Sequence, residues 1–108
     1  MDTSYKGNQP LFHPKKPYAI ICNGEIYNHK KLVRENNFET YSDSDCEVIL
    51  YLYEKYGMEQ TLRMLDSEAF AFSIYDGEKE ELIIARDRFG VRPLFIGTRK
   101  NKEVIIAS

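Results

Sequence analysis

The sequence predicts an α+β fold built mainly on an antiparallel sheet. Three observations point to it. The run Tyr18-Ala19-Ile20-Ile21-Cys22 is apolar and of strand length, a helix-period stretch follows Ser44, and a train of short strand-like runs begins at Ala69, punctuated by Asp76-Gly77 and Gly90. Strands joined by tight turns pair antiparallel.

Residues 1–17 carry Gly7, Pro10, Pro14 and Pro17, which break a helix or a central strand, so an irregular lead-in is expected ahead of residues 18–108. Tyr18 to Cys22 then reads as a buried strand that delivers Asn23-Gly24 to its end. A short helix is expected over His29–Glu35, stopped by Asn36-Asn37, with Phe38 to Tyr41 extended after it.

The next helix has the clearest signals. Ser44 and Glu47 have capping-box spacing, Cys46, Ile49, Leu50 and Tyr53 recur on one face, and Gly57 closes the end. A helix over Met58–Leu65 follows, with Met58, Leu62 and Leu65 on one side. Four strands are expected over Ala69–Tyr75, Glu81–Arg86, Leu94–Gly97 and Glu103–Ala107. Asp76-Gly77 forms the first hairpin turn, and Gly90 with Pro93 the next connection. Phe70, Phe72 and Ile74 alternate with Ala69, Ala71 and Ser73, giving one bulky and one small face.

Composition narrows the function classes. A chain of 108 residues with 43% hydrophobic content suits one small domain able to bury roughly two-thirds of its unfolded surface. A net charge of −2 without a basic stripe disfavours nucleic acid. No apolar run approaches the roughly 20 residues needed to span a bilayer, and the N-terminus has no apolar signal core, so a cytoplasmic protein without membrane partners is expected. In that compartment Cys22 and Cys46 are expected to be reduced core thiols. No metal site is expected: Cys22, Cys46, His13 and His29 lack the short spacing of zinc ligands, and Asp43, Asp45 and Glu47 lack the Gly and closing Glu of a calcium loop. The three arginines of Arg86-Asp87-Arg88-Phe89-Gly90-Val91-Arg92 surround a glycine between strands, which suits an ion-paired turn better than a phosphate cradle.

The candidate chemistry lies in Asn23-Gly24-Glu25-Ile26-Tyr27-Asn28. An Asn amide and a Gly N–H at a strand end converge as two donors, the arrangement of an oxyanion hole, although Asn-Gly between apolar residues is also a common tight turn. Asp45, placed in the first turn of its helix, would be stabilised by the helix dipole whether or not it binds anything.

This hexapeptide stands ahead of Ser42-Asp43-Ser44-Asp45-Cys46-Glu47, Met64-Leu65-Asp66 and Ala85-Arg86-Asp87-Arg88-Phe89-Gly90-Val91-Arg92-Pro93. In this order, from about Gln9 to Ser108, the chain resembles the glutaminase half of glutamine-hydrolysing asparagine synthetase. That family is a class II glutamine amidotransferase of the N-terminal-nucleophile type. The resemblance implies an αββα sandwich, here incomplete. It also implies that L-glutamine is cut to glutamate and ammonia, the ammonia being used with ATP and aspartate to make asparagine. Asn23 and Gly24 would stabilise the oxyanion, and Asn23, Gly24, Glu25 and Asp45 would bind the substrate, Asp45 at its ammonium group. Gln9-Pro10 also matches the family and would border the substrate pocket. The Asp66-Ser67-Glu68-Ala69-Phe70 segment departs from the family by lacking a Gly after the Asp.

The family opens, after Met, with a Cys whose thiol attacks glutamine and whose own amine is the base. Here Asp2 follows Met1, and the family's upstream carboxylate-binding Arg has no counterpart. The expectation is a partial class II amidotransferase domain over residues 18–108, inactive by itself, with no cofactor of its own. ATP and magnesium would belong to an absent synthetase domain, and that part or another chain would be its partner. The alternatives are a non-catalytic glutamine-binding or regulatory module and a non-functional interaction remnant, so whether the chain is an enzyme stays open.

Overall fold

The computed structural model describes residues 9–67, 70–88, 91–99 and 104–107. Two strands, three helices and four strands follow one another: β1 (Leu11–Phe12), β2 (Tyr18–Gly24), α1 (His29–Asn36), α2 (Glu47–Tyr56), α3 (Met58–Met64), β3 (Phe70–Asp76), β4 (Glu81–Arg88), β5 (Val91–Arg99) and β6 (Val104–Ala107). The strands form one six-stranded sheet in sequence order, antiparallel throughout. The α+β class and its antiparallel sheet are thus as the sequence predicts.

The helices leave the sheet after β2 and return to it at β3, its immediate neighbour, so they cover one face. That face carries Ile20, Cys22, Phe70, Phe72, Ile74, Ile83 and Ala85, all buried, through the two-residue period of the strands. The alternation expected in β3 is realised, with Phe70, Phe72 and Ile74 inward and Ala71 exposed. On the opposite face Ile21, Ser73, Ile84 and Ile96 fall in one register row, and Ile21, Ile84 and Ile96 are exposed.

α2 departs from the one-faced helix that its spacing suggests. Every residue from Glu47 to Tyr53 is buried, because the sheet lies under the helix and α1 and α3 flank it. The capping box also fails. α2 begins at Glu47 behind a Cys46 N-cap that makes no side-chain cap bond, so Asp45 lies before the helix and outside its first turn. Glu47 gathers the preceding loop instead. Its carboxylate accepts Tyr41 N at 2.8 Å, Ser42 N at 2.9 Å, Ser42 Oγ at 2.7 Å and the Tyr51 hydroxyl. Phe38 to Tyr41 form no strand.

The lead-in is more ordered than its prolines suggest, since β1 pairs with β2 through Leu11↔Ile20 and Phe12↔Ala19. Its end is fixed at Gly77, whose N–H donates to Pro17 O at 2.8 Å. A Cβ at Gly77 would stand 2.9 Å from Pro17, so only glycine permits the approach. The hairpin turn expected at Asp76-Gly77 is formed, with Asp76 Oδ1 accepting Glu78 N at 2.9 Å and Lys79 N at 3.1 Å. Between β4 and β5 the register shifts around Arg86 and Arg88, and β5 starts earlier than expected and takes in Pro93. Gly90 and the Glu68-Ala69 departure lie outside the described residues.

Candidate functional site

Asn23-Gly24 is not a turn. Both residues are the last of β2, paired as Asn23↔Ala71 and Gly24↔Phe70, and Gly24 has φ 121°, a conformation that side-chain-bearing residues rarely adopt. Asn23, Gly24 and Glu25 are exposed, whereas Cys22 before them and Ile26 after them are buried. By strand alternation Asn23 shares the open face with Ile21, in a row with Ala71 and the exposed Arg86.

The chain beyond β2 is tied down at four places. Ile26 N donates to Asp45 Oδ2 at 2.6 Å, which brings the loop before α2 against the loop that follows Asn23-Gly24-Glu25. Ile26 O accepts from His29, through its backbone N at 3.3 Å and its Nδ1 at 3.0 Å; a carbonyl only accepts, so this ring nitrogen carries the proton. Tyr27 N donates to Asp66 O at 2.8 Å. Asn28 closes the loop, donating through Nδ2 to Met64 O at 2.8 Å and accepting Asp66 N on Oδ1 at 2.9 Å.

The site is braced from two further directions. Gln9 Nε2 donates to Cys22 O at 2.7 Å while Gln9 Oε1 accepts Cys22 N at 2.6 Å, so this amide imitates a strand beside β2 where β1 has not yet begun. Cys22 and Cys46 are joined by a disulfide, with Cα atoms 6.3 Å apart. That corrects the expectation of reduced thiols. Chain separation hid the pairing, since β2 and the start of α2 lie 24 residues apart and meet only in the folded core. Ser44, the expected cap, has its Oγ accepting Cys46 N at 3.2 Å.

Asp45 therefore presents a half-buried carboxylate with one oxygen fixed by a backbone N–H, while Gly24 and Asn23 offer an N–H and an amide at an exposed strand end. Glu25 supplies a second, exposed carboxylate beside them. Such a set suits a ligand with an ammonium group at one end and a polarisable carbonyl at the other. A separate cavity of about 410 Å³ lies between α1 and the 40–44 loop, lined by Lys30, Arg34, Thr40, Ser42 and Asp43; Asn23, Gly24, Glu25 and Asp45 do not border it. Among the described residues no group of three or more His, Cys, Asp or Glu side chains is placed to hold a metal ion, and no helix is long and apolar enough to cross a membrane.

The profile of the glutamine amidotransferase domain family matches residues 1–108, the whole chain. The chain belongs to that family. This amidotransferase domain is 49% identical over 90 residues to the glutamine-hydrolysing asparagine synthetase of Homo sapiens, covering 82% of this chain and 16% of that protein. It is 50% identical over 90 residues to the Bos taurus enzyme of the same name, with the same coverage. Against the probable glutamine-hydrolysing asparagine synthetase of Acanthamoeba polyphaga mimivirus it is 46% identical over 105 residues, covering 97% of this chain and 19% of that protein. The domain thus spans less than a fifth of the length of these relatives, and its resemblance to the asparagine synthetase glutaminase region is borne out.

Gln9, Asn28 and Glu47 are the supporting residues that spacing did not reveal as such. Gln9 acts on Cys22 across 13 positions, and Asn28 acts on Met64 and Asp66 across 36 and 38, so no local pattern carries a signal for either. The Glu47 contacts are local, but its capping-box spacing pointed to a different bond.

Proposed function

We propose that this domain binds L-glutamine for hydrolysis to glutamate and ammonia, as part of a glutamine-hydrolysing asparagine synthetase. Asn23 Nδ2 and Gly24 N–H stabilise the oxyanion of the tetrahedral intermediate, and Asp45 with Glu25 holds the ammonium end of the substrate. The observation that carries this reading is the 2.6 Å bond from Ile26 N to Asp45 Oδ2. It joins the two segments bearing the four residues, which stand far apart in the chain. Donors held in place before the reaction would cost no reorganisation when charge develops on the carbonyl oxygen.

The attacking thiol in this reading comes from outside the described residues. Cys22 and Cys46, the two cysteines of the chain, are bonded to each other and buried. A thiol attacks the glutamine amide carbon, the amine leaves as ammonia, and water releases glutamate from the thioester. In this reading ATP and magnesium belong to another part of the protein, where ammonia would meet activated aspartate, and no step here runs through them. The compartment proposed is the cytoplasm.

The open face bearing Ile21, Ile84 and Ile96 supports the finer fold reading. In it, the six-stranded sheet and its three helices form one half of an αββα sandwich whose second sheet comes from the rest of the protein or another chain.

The test is calorimetric titration of the full-length protein with L-glutamine, together with an assay for released glutamate. Asn23→Ala is expected to lower turnover by about 10²-fold or more through loss of an oxyanion donor. Asp45→Asn is expected chiefly to weaken binding. Wild-type protein that neither binds nor hydrolyses L-glutamine would overturn the reading.

A further inference from the structure

We propose that the Cys22–Cys46 disulfide is a positioning device that couples thiol redox state to the geometry of the glutamine site, an inference that rests on the function proposed above. Cys22 immediately precedes Asn23 and Gly24, and Cys46 immediately follows Asp45. The bond therefore fastens the oxyanion end of β2 to the residue that receives the substrate ammonium. It closes a loop of the chain that contains all of α1 and residues 37–45. A hydrogen bond from Ile26 N to Asp45 Oδ2 is a second direct link across that loop.

The two ends differ in how firmly they are held without sulfur. Cys22 lies within the β2–β3 ladder, opposite Phe72, and its backbone N–H and C=O are both taken by Gln9. Cys46 is the N-cap of α2 and makes no side-chain cap bond, and the segment ahead of it, irregular from Asn37 onward, is held by side chains rather than by a ladder: Tyr41 and Ser42 donate to Glu47, and Cys46 N donates to Ser44 Oγ. Cleaving the bond thus leaves Asn23-Gly24 in place and loosens Asp45, which keeps its bond from Ile26 N and the side-chain contacts of its own loop. A one-sided loosening changes the spacing between the two binding groups, which is the quantity that sets affinity for a ligand spanning them.

The chemistry is dithiol exchange and it balances. One thiolate of a small dithiol attacks a sulfur of the bond, the other cysteine leaves as a thiolate and takes up a proton, and the second thiol of the reagent closes its own disulfide, freeing the second cysteine. Two electrons pass from the dithiol to the protein. A small-molecule disulfide drives the reverse reaction. Cys22 and Cys46 are 7% and 3% exposed, so exchange waits on local opening. In a reducing compartment, disulfides of this kind are transient or sensing rather than structural.

The test uses the full-length protein in oxidised form and after dithiothreitol. Three readouts are needed: peptide mapping under non-reducing conditions, L-glutamine titration, and hydrogen exchange at the Ile26 amide. Mapping should recover the Cys22–Cys46 peptide pair. Reduction should raise the glutamine Kd by at least about fivefold, as expected for coupled sites, and speed Ile26 exchange while unfolding stays cooperative. Cys46→Ala, or Cys22→Val where that variant fails to fold, should match reduced wild type and ignore dithiothreitol. Free thiols at both positions in untreated protein would overturn the proposal, as would equal Ile26 exchange in the two redox states. Exchange that responds to redox state in protein that binds no glutamine upholds the tether and removes only the function it was attached to.

Discussion

The Tyr53 hydroxyl donates to Asp76 Oδ2 at 2.5 Å, joining the middle of α2 to the last residue of β3. Asp76 is fully buried, and its other oxygen accepts Glu78 N and Lys79 N, so one carboxylate organises both the helix–sheet contact and the hairpin turn. Tyr53→Phe removes one donor to a buried charge and is expected to cost about 1.5–3 kcal/mol. Asp76→Ala, which also releases the turn amides, should cost more. Urea unfolding of the two variants checks the order; a Tyr53→Phe protein as stable as wild type would refute it.

Burial, followed by a bond to a carboxylate, raises the phenol pKa of three tyrosines well above the ordinary value of 10: Tyr18 with Glu78, Tyr51 with Glu47 and Tyr53 with Asp76. The folded state therefore holds these protons more tightly than the unfolded chain does. Their contribution is complete below pH 10 and is lost as pH rises from there toward the folded-state values. Stability measured by urea unfolding should fall as pH rises above about 10, and Tyr53→Phe should flatten that fall. An unchanged slope in the variant would remove Tyr53 from the effect.

Gly24 ends β2 at φ 121°, where a Cβ is strained whatever space surrounds it. Gly24→Ala is expected to cost about 1–3 kcal/mol of stability, or to shift the strand end to relieve the strain. Either response displaces the Gly24 N–H, so glutamine turnover should fall further than stability does. Turnover equal to wild type in the folded variant would argue that this N–H is not an oxyanion donor.

Much of the fold was legible because its signals are local. The alternation of Phe70, Phe72 and Ile74, the stop at Asn36-Asn37 and the turn at Asp76-Gly77 each depend on residues within one element, and each is realised. The site was legible in part, as the hexapeptide and Asp45, but the bond that joins them was not. The misread features are tertiary. Glu47 has the spacing of a cap yet turns to Tyr41, Ser42 and Tyr51, because burial of the whole of α2 leaves its carboxylate to serve the loop above. Cys22 and Cys46 look like core thiols until β2 and α2 are packed together. Gln9 replaces a strand that its own Pro10 cannot continue.

Asn28 offers a direct test of how the candidate loop is held. Its amide donates to Met64 O and accepts from Asp66 N, so both faces of one side chain fix the exit of α3 against the end of the hexapeptide. Asn28→Ala leaves both partners without it and is expected to cost about 1–3 kcal/mol, the range for stranded polar groups. Asn28→Asp discriminates further, since it keeps the acceptor for Asp66 N but sets a carboxylate oxygen against Met64 O in place of a donor. It should be no better than alanine if the Nδ2 bond matters, and close to wild type if the Oδ1 bond alone holds the loop. Thermal unfolding ranks the three proteins, and glutamine affinity should follow the same order, because Tyr27 and Ile26 hang on the segment that Asn28 anchors.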